Sequence, residues 1–173
     1  MSLEQWGHDA LAFIAANRGW AMPVVFLFSF GESLAFVGVL LPATVVLFGV
    51  GALVGAGTLD FLPLWVAASI GAALGDTVSY WFGDRYQNAV WRMWPLSRFP
   101  NLGPRGERFF HRWGVASVFL GRFFGPLRAS VPLVAGIMRM PALQFQIANW
   151  ASAFIWGAGI LAPGALGVGL FAR

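Results

Sequence analysis

Two stretches of the sequence, residues 33–59 and 140–172, contain no charged side chain, and a third, residues 61–82, contains only Asp76. A helix needs about 20 consecutive apolar residues to cross the hydrocarbon core of a bilayer. Each stretch is long enough for this, and none alternates apolar and polar residues as the strands of a membrane β-barrel do. The sequence therefore predicts an all-α integral membrane protein.

Composition and charge narrow the class of protein further. Of the 173 residues, 58% are hydrophobic and 10% are charged, whereas about 25% are charged in a typical soluble domain. The chain contains no cysteine, which excludes disulfide bonds and thiolate chemistry. We also find no nucleophile–base pair, nucleotide-binding loop or metal-binding spacing in the sequence, so we expect no catalytic residues, no metal and no cofactor.

The basic residues predict the orientation of the chain. The chain has eleven arginines and no lysine, and six of the arginines lie between residues 84 and 112. Because cytoplasmic loops are enriched in basic residues, we expect this loop to be cytoplasmic and the protein to cross the plasma membrane several times. A pI near 11.1 would suggest a nucleic-acid partner for a soluble protein, but the loop explains the charge and we expect no nucleic-acid binding.

The chain divides into a short N-terminal segment and one membrane domain. Residues 1–18 predict an interfacial helix, and residues 19–173 predict a single membrane domain. The segments of that domain are an interrupted apolar region 19–57, a spanning helix 61–82, the basic loop 84–112, a second interrupted region 114–138 and a spanning helix 142–162.

The two interrupted regions, 19–57 and 114–138, predict re-entrant hairpins or broken helices. Pro42 breaks the first region, and Gly125 and Pro126 break the second. An odd number of crossings separates the regions, so we expect them to be related as an inverted repeat and to meet from opposite membrane faces. Many secondary transporters build their binding sites in this way.

Four ionisable residues lie inside apolar segments: Glu32, Asp76, Arg122 and Arg128. Each costs about 2.5–3.5 kcal/mol at the centre of a membrane helix on insertion scales, so such residues are rarely accidental. One interpretation is a purely structural ion-pair network. The other is a polar pocket in which two guanidinium groups bind the phosphate headgroup of a lipid and an acid takes up and releases a proton.

Smaller signals concern helix packing. Gly51 and Gly55, and likewise Gly71 and Gly75, have the spacing that permits close helix contact, either within one chain or between two copies in a homodimer. Asn149 lies inside the last predicted span, where a hydrogen bond to a packed helix is the default interpretation.

Three stretches together resemble the DedA family, also called SNARE-associated or VTT-domain membrane proteins. They are "FGESLAFVGVLLPATVVLFGVGALVGAG", "GAALGDTVSYWFGDRYQ" and "HRWGVASVFLGRFFGPLRASVPLVAGIMRMPALQFQIANWASAFIW". The last combines Arg-Phe, Gly-Pro-x-Arg and Pro-x-x-Ala-Gly, which includes Gly136, with the Phe and Asn that follow. The resemblance extends over roughly residues 20–170, nearly the whole chain.

The resemblance implies a protein that moves lipids across bilayers, with undecaprenyl phosphate or a phospholipid as substrate. It also implies two re-entrant hairpins, with the essential arginines at Arg122 and Arg128 and the first essential acid at Glu32. Thr44 stands where many members carry a second acid, so we expect proton coupling to be weaker here. Two alternatives remain open: a proton- or ion-coupled transporter of a small solute, and a non-transporting membrane scaffold.

Overall fold

A computed structural model describes residues 11–35, 43–93, 96–98, 101–124, 128 and 130–171 of the chain. Within these residues the backbone forms helices and short turns and no β-strand, which confirms the predicted all-α class. Pro42, Gly125 and Pro126 lie outside the described residues, as do residues 1–10 of the predicted interfacial helix and the side chain of Thr44.

The helices are short in the two interrupted regions and long in the two predicted spans. They are α1 (residues 11–16), α2 (Ala21–Ser33), α3 (Ala43–Gly55), α4 (Phe61–Tyr86), α5 (Leu102–Trp113), α6 (Val115–Gly121), α7 (Ser130–Ile137) and α8 (Ala142–Phe171). Short 3₁₀ turns occupy Arg18–Trp20, Gln87–Arg92 and Leu96–Arg98. Each interrupted region therefore contributes two short helices, α2 with α3 and α6 with α7.

Helix α4 lies at the centre of the molecule, because α2, α7 and α8 all pack against it. Among the described residues it is the one helix long and apolar enough to cross a membrane. Asp60 occupies its N-cap position, but the Asp60 side chain makes no capping hydrogen bond. Helix α8 was predicted to end at residue 162, but it continues through Pro163 to Phe171.

The two halves of the membrane domain pack in corresponding ways. Helix α2 packs on α4 and α6 packs on α8, while α3 packs on α8 and α7 packs on α4. The contact of α2 with α4 in the first half therefore corresponds to the contact of α6 with α8 in the second half. In the same way, the contact of α3 with α8 corresponds to that of α7 with α4. This pattern agrees with an internal repeat, and insertion of the two hairpins from opposite membrane faces stays a prediction.

Glycines make the closest of these contacts possible. A Cβ atom on Gly75 of α4 would lie 2.5 Å from the carbonyl oxygen of Phe30 in α2. A Cβ on Gly51 or Gly55 of α3 would lie 2.5 Å from a backbone carbonyl oxygen of α8. Both glycine pairs identified in the sequence therefore serve helix packing within one chain.

Gly136 plays the same role where α7 crosses α4. A Cβ on Gly136 would collide with the carbonyl oxygen of Tyr80, and a Cβ on Gly83 of α4 would collide with the carbonyl oxygen of Leu133. The two helices thus present a glycine to each other's backbone. Gly136, the glycine of the Pro-x-x-Ala-Gly motif, therefore allows the helix that follows Arg128 to pack closely on α4.

We predict that Gly136→Ala destabilises the protein, because overpacking a close contact costs about 1–3 kcal/mol. Gly159→Ala is the matched control, since Gly159 also lies in a helix and a Cβ added there would have no neighbouring atom within 4 Å. Thermal unfolding of both variants in detergent measures the difference. Equal melting temperatures for the two variants would contradict the described contact between α7 and α4.

Candidate functional site

Arg122 directly follows α6 and points into the protein interior, where 4% of the residue is exposed. Its Nε donates a hydrogen bond to Ser152 Oγ at 3.0 Å. Its Nη2 forms an ion pair with Asp76 Oδ2 and donates to Asn149 Oδ1 at 2.5 Å. One guanidinium group therefore joins the end of α6 to both long helices, α4 and α8.

Asn149 holds this arrangement together from α8. Its Nδ2 donates to the carbonyl oxygen of Ala73 in α4 at 2.9 Å and lies 3.4 Å from Thr77 Oγ1. The orientation of the amide is fixed by its partners, because a guanidinium group only donates and a carbonyl oxygen only accepts. Asn149 thus makes the expected hydrogen bond to a packed helix, through the α4 backbone, and also accepts a hydrogen bond from Arg122.

Arg128 lies two residues before α7 and is 8% exposed. Its Nη1 donates to Glu32 Oε1 at 2.9 Å, and its Nη2 donates to Ser33 Oγ at 3.1 Å. The Arg128 Cζ atom lies 4.1 Å from the centroid of the Trp156 ring, within the range of a cation–π contact. This guanidinium group joins the C-terminal end of α2 to α8.

The four charged residues thus form two separate ion pairs within the described part of the chain, Arg122 with Asp76 and Arg128 with Glu32. In each pair the acid comes from the first half of the domain and the arginine from the second. Burial of an isolated charge costs several kcal/mol, and a partner of opposite charge offsets that cost. The pairing therefore ties the two halves together at two points.

Both arginines retain hydrogen-bonding capacity beyond these contacts. Arg122 Nη1 and Arg128 Nε are buried and have no hydrogen-bond acceptor among the described residues, and Asp76 Oδ1 likewise has no donor there. A buried polar atom without a partner is unfavourable. Each of the two nitrogens can therefore donate to a further oxygen acceptor, and Asp76 Oδ1 can accept from a further donor.

Three contacting residues were not identified from the sequence: Ser33, Ser152 and Trp156. A signal for two of them exists, because Ser152 and Trp156 follow Asn149 by three and seven residues and so lie on one face of α8. The same face of α8 therefore contacts both arginines. At 1.5 Å of rise per residue, the two guanidinium groups contact α8 at levels roughly 8 Å apart.

No group of three or more acidic, histidine or cysteine residues that could hold a metal ion occurs in the part of the chain that the structure describes.

These features define an α-helical membrane protein with arginine–carboxylate pairs buried between two halves of similar packing. The VTT domain matches residues 41–166, and the chain belongs to this family, the DedA family that its motifs resemble. No protein of solved structure matches the chain.

Several curated proteins are similar over most of the chain. The inner membrane protein YabI of Escherichia coli is 36% identical over 154 residues, which cover 89% of this chain and 61% of YabI. The uncharacterized membrane protein BU139 of Buchnera aphidicola is 31% identical over 94% of the chain and 62% of its own length. The inner membrane protein YghB of Escherichia coli is 31% identical over 87% of the chain and 70% of its own length. The chain thus spans about three fifths of YabI and BU139.

We predict that the Asp76–Arg122 pair is energetically coupled. Asp76→Ala leaves the Arg122 charge buried without its acid and should cost about 3–5 kcal/mol of unfolding free energy, part of which the added Arg122→Ala should recover. Denaturant unfolding in detergent of the two single variants and the double variant measures the coupling. Asp76→Ala combined with Arg128→Ala is the control and should be closer to additive, since Arg128 pairs with Glu32. Simple additivity within the Asp76–Arg122 cycle would contradict the described pairing.

Proposed function

We propose that the protein is a lipid translocase, of the flippase or scramblase type, for lipids with an anionic phosphate headgroup such as undecaprenyl phosphate or a phospholipid. We propose that it acts as a multi-pass protein of the plasma membrane and catalyses no covalent reaction. The observation that carries the proposal is the pair of buried arginines, each with one nitrogen that has no acceptor among the described residues.

The chemistry of the guanidinium group supports a phosphate ligand. Arginine remains charged at physiological pH and presents a planar set of donors that matches the oxygens of carboxylates and phosphates. In the proposed cycle a phosphate takes the place of a carboxylate beside Arg122 or Arg128. Asp76 and Glu32 hold the arginines when no lipid is bound.

The surroundings of Arg122 favour a lipid over a small solute. Phe123 and Phe124, which directly follow Arg122, are both exposed at the protein surface. A headgroup at Arg122 would therefore leave its apolar tails beside aromatic side chains rather than in water. This exposed aromatic surface supports a lipid as the transported molecule.

We predict that Arg122→Ala and Arg128→Ala each abolish lipid translocation while the protein still inserts into membranes. Lysine at either position should restore little activity, because it keeps the charge but loses the planar set of donors. Proteoliposomes with fluorescent anionic lipids measure the initial flipping rate. Arg98→Ala, which removes an exposed arginine of the basic loop, is the control and should retain the wild-type rate.

Three results would decide against this proposal. Full activity of the lysine variants would show that translocation needs only a positive charge at these positions and not the planar set of donors. Uptake of a soluble solute without lipid flipping would favour the secondary transporter. Wild-type protein that moves neither lipid nor solute, but loses stability when Arg122 or Arg128 is removed, would favour a membrane scaffold.

We also predict that the ends of α4 lie on opposite sides of the membrane, with the basic loop in the cytoplasm. The chain has no native cysteine, so Ser97→Cys and Ala56→Cys each introduce a single thiol. Both positions are exposed, one in the basic loop and the other in the turn before α4. On intact cells an impermeant thiol reagent should label the Ala56→Cys variant and not the Ser97→Cys variant. The reverse labelling pattern would invert the proposed orientation.

A further inference from the structure

Helix α5, within the basic loop, carries a one-sided set of cations. Arg105, Arg108 and Arg112 are all exposed, and their spacing of three and four residues places them on one side of the helix. The acidic residue of α5, Glu107, is partly buried. The exposed surface of the helix is therefore strongly positive.

The other side of α5 is aromatic and is only partly covered by the protein. Phe109 and Phe110 pack against a buried cluster that includes Val118 and Val131 of α6 and α7. Trp113, at the end of the helix, remains 45% exposed. The helix is therefore held on the protein by its phenylalanines and still presents an aromatic edge.

Phe124 extends this edge towards Arg122. The ring centroids of Phe109 and Phe124 are 6.0 Å apart, those of Phe109 and Trp113 are 6.4 Å apart, and 54% of Phe124 is exposed. The Arg112 Cζ atom lies 5.7 Å from the centroid of the Trp113 ring. The basic side of α5 and this aromatic edge thus adjoin, and we call the exposed residues of the two the α5 patch: Arg105, Arg108, Arg112, Trp113 and Phe124.

We infer that the α5 patch binds the headgroups of anionic phospholipids in the leaflet beside it. Arginines attract the phosphate groups of an anionic membrane surface, and tryptophan favours the depth of the headgroups. Helices with a basic side and an aromatic side bind at this interface for both reasons. Charge complementarity and exposed aromatic area therefore identify the same ligand.

The position of the patch gives the bound lipid a role that rests on the proposed function. Phe124 is two residues from Arg122, so a headgroup held at α5 lies at the segment that carries the buried arginine. The patch raises the local concentration of anionic lipid at this point. It selects lipids by charge before they reach Arg122.

The binding step is tested by the fluorescence of Trp113 in the full chain, isolated as the difference between wild type and Trp113→Phe. The protein is placed in phosphatidylcholine vesicles that contain an equal small fraction of brominated phosphatidylglycerol or brominated phosphatidylcholine. We expect the brominated phosphatidylglycerol to quench the Trp113 signal several-fold more strongly, and high salt to reduce this preference because exposed charges are screened.

A triple variant with a matched control assigns the preference to α5. The α5 triple variant combines Arg105→Gln, Arg108→Gln and Arg112→Gln and should abolish the preference for brominated phosphatidylglycerol. The control triple variant combines Arg85→Gln, Arg92→Gln and Arg98→Gln. It removes the same charge from other exposed positions and should keep most of the preference. Equal quenching by the two brominated lipids in the wild type would overturn the inference. An equal loss of preference in both triple variants would also overturn it, since the loop would then act only through its total charge.

Lipid flipping tests delivery separately from binding. At a low fraction of phosphatidylglycerol we expect the α5 triple variant to flip this lipid several-fold more slowly than wild type, with recovery at a high fraction. An unchanged rate at low fraction would overturn the delivery role. If the wild type flips no lipid, the proposed function fails, while preferential quenching of Trp113 would still support the lipid-binding surface.

Discussion

The burial of two guanidinium groups in an apolar helical protein is the constraint on which the rest of the structure depends. Neither group can stay in a low-dielectric interior without a partner, so Asp76 must reach Arg122 and Glu32 must reach Arg128. Each acid lies before the basic loop and each arginine after it. The two pairs can therefore form only when the two halves of the membrane domain pack together.

Close packing of α4 makes these pairs geometrically possible. Helices in a membrane gain little from hydrophobic association, so they depend on van der Waals contact and interhelical hydrogen bonds. The buried face of α4 is accordingly built from small residues, namely Ala67, Ala68, Ser69, Gly71, Ala72, Ala73, Gly75, Ser79 and Gly83. Because the neighbouring backbones approach so closely, Asp76 reaches Arg122 and the Ala73 carbonyl reaches Asn149.

The sequence predicted the helical membrane class and identified the residues that carry the buried charges, because both follow from local composition. It could not assign Asp76 to Arg122 and Glu32 to Arg128, since pairing depends on how distant segments cross. Ser33, Ser152 and Trp156 were missed because serine and tryptophan are ordinary in membrane helices, and for Ser152 and Trp156 the one sequence signal is their spacing from Asn149. The last span was predicted to end at residue 162, but α8 continues through Pro163, as membrane helices permit where other groups compensate the lost hydrogen bond.

The partners of the two arginines also support the expectation that lysine restores little activity at either position. Arg122 directs two of its nitrogens to three side chains on two helices, and Arg128 combines two hydrogen bonds with contact to the face of Trp156. A single ammonium group lacks the plane that these contacts require. In the proposed cycle, loss of the carboxylate contact leaves Arg122 held by Asn149 and Ser152, and Arg128 held by Ser33 and Trp156. The neutral partners thus preserve the orientation of each guanidinium group while its anionic partner changes, which is what exchange of a carboxylate for a phosphate demands.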